Sequence, residues 1–291
     1  MTATVIICTR NRSRHLRRCL HSVVEQWPGH PWLRAVYVID NGSTDDTAAV
    51  VRDFTERETR IRYCVETRTG LSYARNRGAR EATTTWLGYL DDDAQLRPGY
   101  LDRAAALVGR DVAAFGGMYY AWYEHERPRW LPATFGTKVA PRVGAGPLES
   151  GYLSGGNLWL RKTAWNTVGG FRTDLGMRGE QVLYGEDDAI QEALRAAEHV
   201  IWYAPDLAID HLVLPHKLRV SWHLRQAYGN GKSTGRMSAA RWDWLALPAA
   251  LLKLGPRVVL VGFRLLARHD YYWQNALLDS TRELATALGR L

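Results

Sequence analysis

LGYLDDDAQLRPGYL, residues 87–101, sets an apolar, strand-forming run directly against three adjacent carboxylates, Asp91, Asp92 and Asp93. Like charges side by side repel one another and gain nothing from a core. By itself the triplet fits two readings: a solvated turn before Pro98, or a cation site that turns the repulsion into shared attraction. The flanking sequence has to decide between them.

On the N-terminal side, β-rich runs alternate with helical patterns. ATVIIC (3–8) reads as a strand, and SRHLRRCLHSVVEQW (13–27) follows with helical spacing at Leu16, Leu20, Val23 and Val24. LRAVYVID (33–40) is the next strand, and STDDTAAVVRDFTER (43–57) opens with a Ser-to-Asp capping signal and continues as a helix. RIRYCVE (60–66), LSYARNRGAREA (71–82) and TWLGYLD (85–91) read as strand, helix and strand. Such alternation predicts a parallel sheet covered on both faces, and open sheets of this kind bind ligands beyond the carboxyl ends of their strands. Those ends carry Thr9-Arg10-Asn11-Arg12, Asp40-Asn41-Gly42-Ser43 and Asp91 to Asp93. Three polar clusters along one edge are hard to explain by packing.

After the acidic run the pattern changes. VAAFGGMYYAWYEHERPRWLP (112–132) reads as an aromatic strand leading into a loop, and residues 132–152, rich in Gly and Pro, as a mobile connection. GGNLWLRKTAW (155–165) predicts a strand entering a helix. GEDDAIQEALRAAEH (185–199) predicts a helix with acids in its first turn, followed by one strand, VIWYAPDLAIDH (200–211). Beyond His216 the chain reads as helical. GNGKST (229–234) imitates a phosphate loop, but the pattern needs a glycine where Gln226 stands, so a helix end at these glycines is expected instead. The first strand-to-helix turn has no glycine fingerprint, which argues against a nicotinamide enzyme.

Composition narrows the class. The 291 residues are 46% hydrophobic and 23% charged, with 38 Lys and Arg against 30 Asp and Glu. The resulting charge of +8 favours acidic partners: phosphates, nucleic acid or an anionic membrane face. The basic residues are scattered and no recognition motif is present, which argues against nucleic acid. Cys8, Cys19 and Cys64 form neither a zinc pattern nor a disulfide framework, which points to a reducing compartment. The short apolar run at the N-terminus is too brief for a signal-peptide core, and no apolar run reaches the ~18 residues of a membrane span. The expectation is a cytoplasmic protein, peripheral at most to the inner membrane face.

In their order, VIICTRNR, VIDNGSTDDT, GLSYARNRGAREA, YLDDDAQLRP, GGNLWLRKTAWNTVGGF and GEDDAIQEALR resemble the motifs of the inverting glycosyltransferases of family 2. The resemblance covers roughly residues 4–235 and implies a GT-A α/β fold, a nucleotide-diphosphate sugar donor and a divalent metal, Mn2+ or Mg2+. It implies a cation at the acidic triplet, with Asp93 and Asp91 as metal ligands and Asp92 facing the ribose. Nucleotide contacts are expected from Thr9, Arg10, Asn11, Arg12 and Asp40. Arg12 and Arg75 either counter phosphate charge or are ordinary helix-surface cations. His211 is either a further metal ligand or diphosphate contact, or a histidine capping a strand. Asp187 is implied as the base, at a helix start whose dipole keeps carboxylates ionised. Glu186, Gly155, Gly156 and Asn157 are expected on the donor-sugar and acceptor side, the glycines letting backbone approach the sugar or simply making a tight turn.

The expected division is a GT-A catalytic domain over 1–215, split into a nucleotide-binding half (1–97) and an acceptor-binding half (98–215), with a helical extension over 216–291. The acceptor is a hydroxyl on a glycan, a lipid-linked glycan or a natural product. WDWLALPAALLKLGPRVVLVGFRLLARHDYYW (242–273) mixes apolar runs with Lys253, Arg257, Arg264 and Arg268, broken by Pro248 and Pro256. Segments lying in a membrane interface and helices packed on the catalytic domain both fit it. The rival reading is a module that binds a nucleotide sugar without turning it over; intact acids at both the metal and base positions argue against that.

Overall fold

The computed structural model describes residues 1–138, 142, 144–179, 181–237 and 245–290. Parts of two stretches read from the sequence, 139–141 and 143 in the long connection and 242–244 at the start of the tail, lie outside the described residues.

β1 (Ala3–Thr9) is an interior strand of the large sheet, and Val5, Ile6 and Ile7 are all buried because both its faces are covered. α1 (Ser13–Gln26) buries the stripe Leu16, Cys19, Leu20 and Val23 against it. β2 (Leu33–Asp40), α2 (Thr47–Thr55), β3 (Ile61–Val65), α3 (Leu71–Glu81) and β4 (Trp86–Asp91) follow as expected. Then come β5 (Ala94–Leu96), α4 (Tyr100–Val108), β6 (Ala114–Gly116), β7 (Tyr119–Trp122), β8 (Gly146–Pro147), β9 (Asn157–Arg161), α5 (Lys162–Thr167), α6 (Glu186–Ala196), β10 (Ile201–Tyr203) and β11 (Ile209–Leu212).

Two compact units emerge. The first comprises Met1–Trp122, Gly136–Thr173 and Glu186–Leu212. Its large sheet has eight strands in the order β3-β2-β1-β4-β9-β6-β10-β8, and a small sheet has the order β5-β11-β7. The pairs β3–β2, β2–β1 and β1–β4 are parallel, but β9 runs antiparallel to both β4 and β6. β6 and β10 pair parallel again and β10 and β8 antiparallel, so the sheet is mostly parallel, with β9 reversed in its middle and β8 at its edge. Its alternating side chains feed two cores, one containing Val5, Val36 and Phe115, the other Ile6, Tyr37 and Leu158. Gly88 faces Trp159 across the β4–β9 pair, where a Cβ would stand 2.7 Å from the indole. The indole in turn stacks on Phe115, with ring centroids 5.5 Å apart.

Two runs read as single strands are each divided. Residues 114–122 split into β6 and β7, and residues 200–211 into β10 and β11. The first member of each joins the large sheet and the second the small one. Both breaks fall together: Ala204 N donates to Gly116 O and Ile209 N to Met118 O, so the two segments change sheets side by side. Gly117 permits this, because the carbonyls of Ala204 and Leu207 occupy the space of its missing side chain.

The second unit comprises Tyr123–Phe135, Asp174–Gly185 and Val213–Leu291. A 3-10 turn (Pro215–Leu218) leads into α7 (Val220–Met237), followed by α8 (Ala246–Leu252), α9 (Leu254–Ala267) and α10 (Trp273–Arg290). The expected helix end at Gly229–Gly231 is overturned, since α7 runs through both glycines. They serve packing: a Cβ on Gly231 would strike the Thr286 carbonyl, and one on Gly289 the Tyr228 carbonyl, so α7 and α10 touch backbone to backbone. Pro248 and Pro256 stand third in α8 and α9, where a helix has no use for their missing N–H.

Candidate active site

The parallel register lines up the polar strand ends. Thr9 pairs with Asp40 and Cys8 with Asp91, so the ends of β1, β2 and β4 share one edge. Asn11 adopts a positive φ of 54°, which asparagine tolerates, and its Oδ1 accepts from Thr44 N at 2.6 Å. Ser43 Oγ accepts from Asn11 N in return, and Asp45 from Ser13 N, so the loops after β1 and β2 are laced together. Arg10 projects from this loop as an exposed side chain. Asp40 is buried, accepting from Ser43 N at 2.8 Å and from the Tyr63 hydroxyl at 2.5 Å.

The acidic triplet is the step between the two sheets. β4 ends at Asp91, Asp92 and Asp93 form a turn, and β5 begins in the small sheet. Repulsion within the turn is met by Arg12, which donates to Asp92 at 2.9 Å and Asp93 at 3.1 Å. Arg12 thus holds the carboxylates themselves. Burial still pushes Asp92 up to about 6, against the pull of Arg12.

His211 reaches this turn because β11 pairs antiparallel to β5, with His211 opposite Ala94 and Leu212 N bonded to Asp93 O at 2.9 Å. Its Nε2 lies 3.2 Å from Asp93 and 4.0 Å from Asp91. Ligand atoms of Asp91, Asp93 and His211 all lie within 4.8 Å of one another, the one such group among the described residues. Two carboxylates and an imidazole converging so closely, with Asp93 buried, fit a divalent cation.

Arg75 links this group to the helix that carries the second set of acids. It is buried rather than on the helix surface, pairing with Glu186 at 2.7 Å and Asp91 at 3.5 Å. Burial works against its charge, and Glu186, Asp91 and Asp187 more than offset that. Gly155 and Gly156 make room: the place of their missing side chains is filled by the Arg75 guanidinium and the Asp91 carboxylate. Gly155 N in turn donates to Asp187 Oδ2 at 2.7 Å.

α6 opens on three acids whose environments differ. Burial and the neighbouring Asp187 raise Glu186 to about 7, with Arg75 pulling the other way, and burial with Asp187 raises Asp188 to about 6. The expected ionising effect of the helix start is therefore outweighed at both residues. Asp187 is half-buried and points at the Gly155 loop. Gln191, one turn on, exchanges two hydrogen bonds with the backbone of Leu153 at 2.8 and 3.0 Å and fixes that loop to α6.

The structure brings Thr9, Arg12, Asp40, Arg75, Asp91, Asp92, Asp93, Gly155, Gly156, Glu186, Asp187 and His211 into this one unit's strand-end region. Asn157 does not join them. It is fully buried, donating both amide hydrogens to Met118 O and Leu207 O and accepting from the Tyr100 hydroxyl at 2.6 Å, so it is closed off from a sugar. Sequence reading missed Tyr63 and Gln191. The second left a signal, a polar residue on the buried stripe of Ile190 and Leu194.

Comparison with known proteins bears on the family and the fold. The family model for glycosyl transferase family 2 matches residues 4–172, more than half of the chain. The chain is 23% identical over 242 residues to the glucosyl-dolichyl phosphate glucuronosyltransferase of Haloferax volcanii, covering 80% of this chain and 76% of that protein. It is 25% identical over 240 residues to the succinoglycan biosynthesis protein ExoM of Rhizobium meliloti, covering 81% and 74% respectively. Among solved structures, the mannosyltransferase PcManGT from Pyrobaculum calidifontis, in complex with GDP-Man and Mn2+, has a TM-score of 0.68 at 19% identity over 99% of this chain and 86% of that one. That likeness shows the GT-A fold. The matched region runs from β1 through the acidic turn and past β9, and on that ground the chain belongs to glycosyl transferase family 2 and is a glycosyltransferase.

Proposed function

We propose that the protein moves a glycosyl group from a nucleoside-diphosphate sugar to a hydroxyl acceptor in one displacement that inverts the anomeric centre. The observation that carries this reading is the Asp187 carboxylate, held by Gly155 N at 2.7 Å in a loop packed on Arg75, whose other end meets Asp91. A base is thereby fixed relative to the acids that answer a diphosphate.

Asp91, Asp93 and His211 would hold the cation, and a nitrogen donor beside two carboxylates suits Mn2+ better than Mg2+. Such an ion, when bound, neutralises diphosphate charge and makes the nucleoside diphosphate a better leaving group. The loops at Thr9 to Arg12 and at Asp40, with the Tyr63 ring beside it, receive the nucleoside. Asp187 accepts the acceptor's hydroxyl proton as that oxygen bonds to the anomeric carbon. The bond from that carbon to the diphosphate oxygen breaks, and the diphosphate leaves with the electron pair. Glu186, turned to Arg75, holds the geometry and leaves the proton to its neighbour. Similarity to a dolichyl-phosphate-linked transferase and to a succinoglycan biosynthesis protein supports a lipid-linked or glycan acceptor in polysaccharide assembly.

Asp187→Asn keeps the shape and the Gly155 bond but cannot take the proton. Turnover should fall about 100-fold to 10,000-fold while donor affinity stays close to wild type. Proton couplings of the product should report the anomeric configuration opposite to the donor's. A product that retains the configuration, or a fully active Asp187→Asn protein, would overturn the mechanism.

A further inference from the structure

In the second unit α9 presents its apolar side outward. On α9, Arg257, Val261 and Arg264 fall at i, i+4 and i+7 and turn toward α10. Val261 is buried there, Arg264 donates to Asp279 at 3.1 Å, and Arg257 pairs with Glu283. Lys253, between α8 and α9, pairs with the same Glu283 at 3.0 Å. The opposite arc of α9 carries Val259, Phe263 and Leu266 at the same spacing, with Leu252 preceding them. Their exposures are 74%, 68%, 91% and 82% in the order Val259, Phe263, Leu266, Leu252. Leu251, Val258, Leu260 and Leu265 are exposed around them. Ion pairs facing a neighbouring helix and aliphatic chains facing outward are the reverse of what water selects.

We propose that α8 and α9 lie in the interface of an anionic bilayer, with this arc in the acyl layer and the basic residues at the level of the head groups. Three observations favour lipid over a protein partner. The arc offers aliphatic and phenyl side chains and two glycines, Gly255 and Gly262, with no polar group that would set the register of a second chain. Residues 246–268 contain four cations, Lys253, Arg257, Arg264 and Arg268, and no acid; they pair with Glu283, Asp279 and Asp270 outside the segment, so positive charge remains in excess, which complements a negative surface. Arg257, Arg264 and Arg282 also line a groove between α9 and α10 with Asp279 and Glu283, leaving a surplus of positive charge there. Finally, α8 and α9 have the combined length and composition of a membrane segment but are bent by 45° at their junction, and no single described helix is long and apolar enough to cross. The bend and the one-sided arc together favour a segment that lies along a surface over one that crosses. Tyr271, Tyr272 and the exposed Trp273 follow at its end, the residue types that settle at an apolar–polar boundary. The inference is independent of the reaction carried out by the first unit.

The test is co-sedimentation of the full chain with phosphatidylcholine vesicles, with and without a phosphatidylglycerol fraction. Wild type should bind the anionic vesicles and release as salt rises. The triple substitution Val259→Gln, Phe263→Gln and Leu266→Gln should lower partitioning by about tenfold or more, while Phe263→Leu with Leu266→Ile retains it. All these positions are exposed, so circular dichroism and the unfolding midpoint should match wild type. Equal partitioning of wild type and the triple variant, or no binding by wild type, overturns the proposal. So does a lipid-free dimer in the ultracentrifuge that the triple variant dissolves, which would make the arc an interface between copies of this chain.

Discussion

Arg75 is the residue on which the two halves of the site depend. A cation meant for phosphate would be exposed and unpaired before the donor arrives, yet this one is buried between Glu186 and Asp91. Removing one partner of a buried pair leaves the other uncompensated, at a cost of about 3–5 kcal/mol. Arg75→Gln should therefore lower unfolding stability by that order, and adding Glu186→Gln should restore part of the loss in a double-mutant cycle. A stable Arg75→Gln protein that merely binds donor weakly would return Arg75 to the role of a phosphate contact. The acidic triplet and His211 are legible as candidates in the sequence because each sets polar side chains at the end of an apolar strand, a local contrast. The Arg75–Glu186 pair spans 111 positions and leaves no local trace. Asn157 misled for a related reason: a polar residue after two glycines reads as site-facing, and only the pairing of β9 with β4 and β6 decides which way it points.

At the scale of elements, strands and helices up to Asp91 follow the sequence pattern because each alternates or repeats cleanly over its own length. The misreadings fall where one run serves two partners, as in the β6–β7 and β10–β11 divisions, or where a glycine signals packing instead of a stop. α7 tests the second point, because two effects of opposite sign compete. Replacing a helix-interior glycine by alanine ordinarily stabilises by about 1 kcal/mol. A Cβ on Gly231 meets the Thr286 carbonyl of α10, and overpacking costs about 1–3 kcal/mol. Gly262, in α9, has nothing within 4 Å of the same position. Gly231→Ala should therefore lower the stability of the second unit, and Gly262→Ala should raise it slightly. Denaturant unfolding of the two proteins reads the signs; a stabilising Gly231→Ala would mean that α7 and α10 do not meet backbone to backbone.

For the whole molecule, ligand binding and stability are one equilibrium. The carboxylates of the acidic turn lie close together and are held in part by Arg12, so a nucleoside diphosphate brings more negative charge to an already crowded place. Without a divalent ion the two should repel; with one, the first unit gains a ligand that its unfolded chain cannot hold. Such a ligand at a hundred times its dissociation constant stabilises by about 2.7 kcal/mol, which in a unit of this size corresponds to roughly 5–10 °C in Tm. The expected result is a shift of that order with nucleoside diphosphate and Mn2+ together, and little with either EDTA-treated nucleotide or metal alone. Asp91→Asn, which leaves the Arg12 pairs with Asp92 and Asp93 and the Arg75–Glu186 pair intact while removing the Asp91 charge beside Arg75, should abolish most of the shift measured against the variant's own ligand-free Tm. Hydrogen exchange should locate the gain in protection at the loops after β1, β2 and β4 and leave α8 and α9 unchanged. An equal shift in the presence of chelator would remove the cation from the reading of residues 91–93, and a shift that survives Asp91→Asn would move it to other ligands.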